Sequence, residues 1–146
     1  SVDSQQAIDL DLVTSRSNDN PVFYVQYAHA RIHSIMGKAA AAGIVRAPLA
    51  DADLSVLTHE REIELLRTLS ELPEVLARAA RERAPHTITN WVRELADRFH
   101  GFYHDCYVIG DVPADLTQAR LWLVDAARVG FAIGLDLLGV SAPESM

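Results

Sequence analysis

Residues 87–109 read TITNWVRELADRFHGFYHDCYVI. Within them Ile88, Val92, Leu95, Phe99, Phe102 and Cys106 follow one another in alternating steps of four and three. An α-helix has about 3.6 residues per turn, so these side chains fall on one stripe, which Trp91 and Ala96 widen. A half-buried strand would alternate apolar and polar at every second residue, and this stretch does not. The segment therefore reads as a long amphipathic helix.

Working outward, GDVP at 110–113 is a loop. Asp115, with Gln118 three residues on, resembles a capping box, and a last helix runs to about Leu138 before Gly139 stops it. Residues 140–146 form a short tail. In the other direction, Pro85 ends a stripe made by Val75, Leu76, Ala79 and Ala80. Pro73 interrupts the chain before it, which takes Leu72 out of the helical region. Thr58 is the expected cap of the preceding helix, with Glu60 and Glu62 in its first turn and Ile63, Leu66 and Leu69 at helical spacing. Residues 44–57 are a loop. Asn20 and Pro21 pair a cap with a first-turn proline and open a helix to about Ala42, where Gly43 stops it. The alanines at 39–42 suit close helix packing. Residues 1–19 are polar and acidic and read as a tether into the domain. No segment shows sustained two-residue alternation or a hairpin turn. The expected fold is all-α, a bundle of about five helices with short connections.

The chain has 146 residues, the size of one domain, and is 49% hydrophobic, enough for one core. No apolar run is long enough to span a membrane, and no secretory pattern opens the chain. Ser1 rather than methionine at the start suits a fragment or a processed product. A lone cysteine, Cys106, cannot form an internal disulfide and fits a reducing cytoplasm. As a continuation of the apolar stripe it should be a buried packing residue. The net charge of −7 argues at first against nucleic acid, but its distribution is uneven. Residues 20–50 carry Arg31, Lys38 and Arg46 and no acid, and residues 76–100 carry Arg78, Arg81, Arg83, Arg93 and Arg98 against three acids. An acidic chain can still present a local basic face. Solvated helix faces would give the same counts.

The sequence holds no glycine-rich phosphate loop, no Gly-x-Ser-x-Gly elbow and no Cys-x-x-Cys pair, so no catalytic residue is assigned. His29 with His33 and His100 with His104 each share a helix face. A zinc-protease helix needs glutamate after its first histidine, and here Ala30 and Gly101 stand there. With no third ligand nearby, no metal is expected. Tyr24, Tyr27 and Arg31 share another face through three- and four-residue spacing, and Tyr103 and Tyr107 share one of their own. Tyrosine beside arginine suits stacking on unpaired bases and contact with phosphates. A tyrosine in an apolar helix equally packs in the core with its hydroxyl satisfied.

Two longer stretches carry a family resemblance. NPVFYVQYAHARI at 20–32 resembles the opening helix of the anticodon-binding domain of arginyl-tRNA synthetases, and GLDLLGVSAPESM at 134–146 resembles that family's C-terminus, methionine included. Leu95-Ala96 followed by Phe99, Phe102 and Tyr103 is similar to the family as well, so the likeness covers residues 9–146. The domain type takes its name from an Asp-Ala-Leu-Arg stretch. Asp125-Ala126-Ala127-Arg128 is the nearest match here, with alanine at a packing position where leucine stands.

The resemblance implies a tRNA(Arg) anticodon-arm module whose residues 1–19 lead from an upstream catalytic domain and whose residues 20–146 form the helical domain. The family's ATP-binding signatures, a His-Ile-Gly-His-like and a Lys-Met-Ser-Lys-like sequence, are absent. ATP and magnesium would therefore belong to the full-length ligase. In the family two helix tyrosines and the terminal methionine surround an anticodon base flipped out of its stack. The corresponding residues look like Tyr27, Met146 and either Tyr103 or Tyr107, with Arg31 toward the nucleic-acid backbone. The other readings are a structural or protein-interaction bundle, which needs neither the basic face nor the tyrosines, and a metal-binding bundle using the histidine pairs.

Overall fold

The computed structural model describes residues 9–146. The first eight residues of the expected tether lie outside the described residues. Six α-helices follow in order: α1 (Leu10–Thr14), α2 (Pro21–Ala41), α3 (Glu60–Ser70), α4 (Leu72–Glu82), α5 (His86–Asp105) and α6 (Ala114–Leu137), with two single 3-10 turns between α2 and α3. No strand occurs among the described residues. The fold class is the all-α one expected, with five substantial helices and the short α1.

Helix α5 is the hub, touching α2, α3, α4 and α6. Its predicted stripe is buried: Val92, Leu95, Phe99, Phe102 and Cys106 are each 2% exposed or less. Removing a side chain of this size from water contributes about 1.5–3 kcal/mol. Phe131 of α6 meets Phe99 edge-on at 6.0 Å between centroids. Gly134 lets α6 approach α5 closely, since a Cβ there would lie 2.2 Å from Val92 Cγ2.

Helix α2 starts as read. The Asn20 side chain accepts from Val22 N, and its amide donates to Val13 and Ser15 carbonyls, which ties the segment around α1 to the bundle. Of the alanines at 39–42 expected at a helix contact, Ala39 alone is buried, because the helix ends at Ala41 and the other three face outward.

Helix α3 departs from its sequence reading. His59, not Thr58, is the cap: His59 Nδ1 accepts from Arg61 N, and Glu62 Oε1 accepts from His59 N. The buried face carries Glu62, Leu65 and Thr68, while Ile63 and Leu66 are exposed. Two polar contacts set this rotation. Glu62, 1% exposed, pairs with Arg120 of α6 at 2.9 Å, and Trp91 Nε1 donates to the Thr68 carbonyl at 2.8 Å. A buried charge without its partner would cost several kcal/mol, so the pair decides which face turns inward. The break before α4 falls at Glu71, and Leu72 belongs to the new helix, whose first turn accommodates Pro73.

Two expectations at helix ends are corrected. Helix α5 stops at Asp105 and not Ile109, because Cys106 is extended (φ −123°, ψ 106°) and Arg120 Nη1 donates to the Tyr107 carbonyl. The capping box at Asp115 and Gln118 does not form. Gln118 instead accepts from Ala47 N and donates to the Val45 carbonyl, clamping the loop after α2 onto α6. The same loop is held by Arg46, which pairs with Asp125 at 2.8 Å and lies 4.0 Å from the Trp122 ring centroid. Asp125 also pairs with Arg128, and Ala127 between them is fully buried.

Candidate nucleic-acid interface

Spacing of four on α2 puts Tyr27 and Arg31 one above the other, and the Arg31 guanidinium donates to the Tyr27 hydroxyl at 2.6 Å. The same guanidinium lies 4.6 Å from the Tyr27 ring centroid and 4.2 Å from that of Tyr103, which α5 brings alongside. Arg31 thus joins two tyrosines from different helices. It makes no ion pair with a carboxylate among the described residues, so its remaining N–H donors are open to a ligand. Both tyrosines are half-buried.

A cavity of about 760 Å³ opens over this cluster. Tyr27, Arg31 and Tyr103 form one side, and Lys38 lies a further turn and three residues along α2. Glu144, Ser145 and Met146 of the tail line the cavity too. Four of the five residues singled out from sequence therefore meet at one cavity: Tyr27, Arg31, Tyr103 and Met146. The fifth, Tyr107, does not share a helix face with Tyr103, because α5 has already ended. It is 73% exposed and lines a second cavity of about 570 Å³, in which Arg31, Lys38 and Tyr103 also take part.

Tyr24 is separated from the cluster. Its ring packs on His100 at 4.6 Å, and burial together with the neighbouring Asp97 carboxylate pushes its pKa up to about 12. His100 stacks on Tyr27 as well, 6.0 Å away. Burial first, and then the Arg31 charge, hold the His100 pKa below its ordinary value, so a neutral imidazole backs the site. The histidine pairs are not gathered around a metal position. His29 is committed to the Pro143 carbonyl and His104 to Asp105, and no group of three potential ligands occurs among the described residues.

The basic segments divide in the same way. Arg31 and Lys38, from the acid-free stretch, reach the cavities, whereas Arg46 is paired with Asp125. In the second segment Arg81 pairs with Glu74, and Arg98 with Glu64 and Glu94. Arg78, Arg83 and Arg93 there are exposed and make no ion pair among the described residues, so that region is only partly neutralised. Sequence reasoning missed Lys38 as a site residue, although its i+7 spacing from Arg31 was available as a signal.

Comparison with known proteins shows the family of the chain. A family model for the DALR anticodon binding domain matches residues 25–146, and the chain belongs to that family. An arginine--tRNA ligase of Frankia alni is 54% identical over 149 residues, covering 100% of this chain and 27% of the relative. One from Carboxydothermus hydrogenoformans is 46% identical, covering 99% of this chain and 26% of its own length. The chain thus spans about a quarter of the length of the curated relatives it matches. Among solved structures, an arginyl-tRNA synthetase from Campylobacter jejuni superposes with a TM-score of 0.83 at 29% identity, over 99% of this chain and 30% of its own. The Thermus thermophilus arginyl-tRNA synthetase gives 0.68 at 36% identity, over 84% of this chain and 21% of its own.

Proposed function

We propose that the chain is the anticodon-arm module of an arginine–tRNA ligase and that the cavity at Tyr27, Arg31, Tyr103 and Met146 receives an unstacked base of tRNA(Arg). The observation that carries this reading is the Arg31 guanidinium lying against two tyrosine rings at the mouth of an open cavity. Aromatic faces stack on any base, and a guanidinium offers donors to phosphate or to base edges. The Met146 thioether, 55% exposed, is soft and adaptable enough to cover a base from the other side. Arg31 and Lys38 supply the local positive charge that an acidic chain needs in order to meet a phosphate backbone. Tyr107, which lines the second cavity beside Arg31, Lys38 and Tyr103, would serve a neighbouring nucleotide in this reading.

In this reading ATP and magnesium are used by a catalytic domain upstream, to which residues 1–19 lead, and the module itself carries out no chemistry. No described helix is long and apolar enough to cross a membrane, which suits work on tRNA in the cytoplasm.

Binding of tRNA(Arg) to the full-length ligase across a salt series tests the reading. Affinity should fall as salt rises. Arg31→Ala and Lys38→Ala should each weaken binding and reduce the magnitude of the log–log salt slope by about one if each meets a phosphate. A protein-interaction bundle would show weak binding unchanged by either substitution.

A further inference from the structure

The tail after α6 is held by side chains of α2. Gly139, at φ +69°, ends α6, and Val140 N donates back to the Leu135 carbonyl at 2.9 Å. Gln26 Nε2 then donates to the Ser141 carbonyl at 2.9 Å. Three residues along α2, His29 Nδ1 lies 2.8 Å from the Pro143 carbonyl. A carbonyl only accepts, so Nδ1 carries the proton in this contact. His29 is 4% exposed, and the tail carbonyl is its hydrogen-bond partner. Beyond Pro143, residues 144–146 are exposed, make no hydrogen bond among the described residues, and still form one wall of the first cavity. The position of that wall therefore depends on what holds the chain just before it.

We propose that Gln26 and His29 are positioning residues that pin the tail at the carbonyls of residues 141 and 143, and so set Met146 against the tyrosine–arginine cavity. The inference rests on the reading of that cavity as a base site. Both pins grip main-chain carbonyls, and Gln26 Nε2 reaches the Ser141 hydroxyl oxygen as well, at 3.2 Å, so the path of the tail is fixed mainly through its backbone. Neither lines the cavity itself. A pinned wall is ordered before the nucleotide arrives, and binding then avoids the cost of ordering it.

The test uses the full-length ligase, with tRNA(Arg) affinity and hydrogen exchange of the tail amides measured where every variant is folded. His29→Ala and Gln26→Glu should each weaken tRNA binding roughly 2- to 10-fold, the scale of one hydrogen bond, and should speed exchange in residues 141–146. His29→Asn, whose amide nitrogen stands near the Nδ1 position, should recover much of the loss. In a background lacking residues 144–146, His29→Ala should cost nothing further. Unchanged affinity, or the same loss in the shortened background, overturns the pin. Tyr27→Ala measured alongside separates the two failures. Weakening by Tyr27→Ala with none by Gln26→Glu removes the pin alone, and no weakening by Tyr27→Ala removes the base site and the pin with it.

Discussion

Phe99 and Tyr103 stand one turn apart on α5 with their rings 6.4 Å apart, and they have opposite fates. Phe99 is fully buried among Phe102, Phe131 and the rest of the core. Tyr103 is half-buried and lies against the Arg31 guanidinium at the rim of a cavity. One helix thus supplies the centre of the core and one wall of the candidate site. The difference is between an aromatic enclosed by the core and one that borders an open cavity. Phe99 is closed off from solvent, with the rings of His100, Phe102, Tyr103 and Phe131 around it. Tyr27 and Tyr103 each keep part of their surface open to solvent, and the Arg31 guanidinium, which pairs with no carboxylate among the described residues, lies beside both rings.

The comparison can be broken from the core side first. Phe99→Ala should lower stability by about 3–5 kcal/mol, the cost of an unfilled aromatic cavity, as read by denaturant unfolding. A loss no larger than that of Tyr103→Ala would mean the two rings are not differently employed. Next, Gly134→Ala should cost about 1–3 kcal/mol through overpacking, because the new methyl would lie 2.2 Å from Val92 Cγ2. It should leave tRNA binding per folded molecule unchanged, since the cavity lies about three turns further along α5, at Tyr103.

Cys106 sharpens the comparison at the end of the same helix. It is 2% exposed, and burial raises the thiol pKa. The thiolate is the reactive form, so near pH 8 a smaller fraction is reactive than in a free thiol. Modification by a thiol reagent should be slow in the native domain, speed up as pH rises, and become fast on unfolding. Rapid reaction of the folded protein at neutral pH would contradict the burial.

The core of α5 was legible in the sequence because burial of apolar side chains imposes its own periodicity. Helix α3 was misread for the complementary reason. Its orientation is set by a buried Glu62–Arg120 pair and by a tryptophan N–H, and an apolar pattern does not register polar anchors whose partners come from distant elements. In the site, Tyr27 and Arg31 could be paired from spacing on one helix. Tyr103 joins them through packing of α5 on α2, which local spacing does not encode. Tyr107 was grouped with Tyr103 because nothing in the side-chain pattern marks the end of α5 at Asp105, where a backbone carbonyl captured by Arg120 helps to set the stop. The tail contacts were out of reach of sequence reading, since the Gln26–Ser141 bond spans 115 positions.

The claim that Tyr27 belongs to the site and not to the core is tested most directly by the tRNA(Arg) affinity of Tyr27→Ala in the full-length ligase, at a temperature where both proteins are fully folded. Stacking of one base is worth ~1–3 kcal/mol by alanine substitution. The account therefore predicts affinity weakened roughly 5- to 150-fold, and weakened less by removal of Met146, which adds contact area without a flat ring. Equal affinity for wild type and Tyr27→Ala, with the variant's loss confined to its melting temperature, would show that Tyr27 is a packing residue like Phe99 and that the base binds elsewhere.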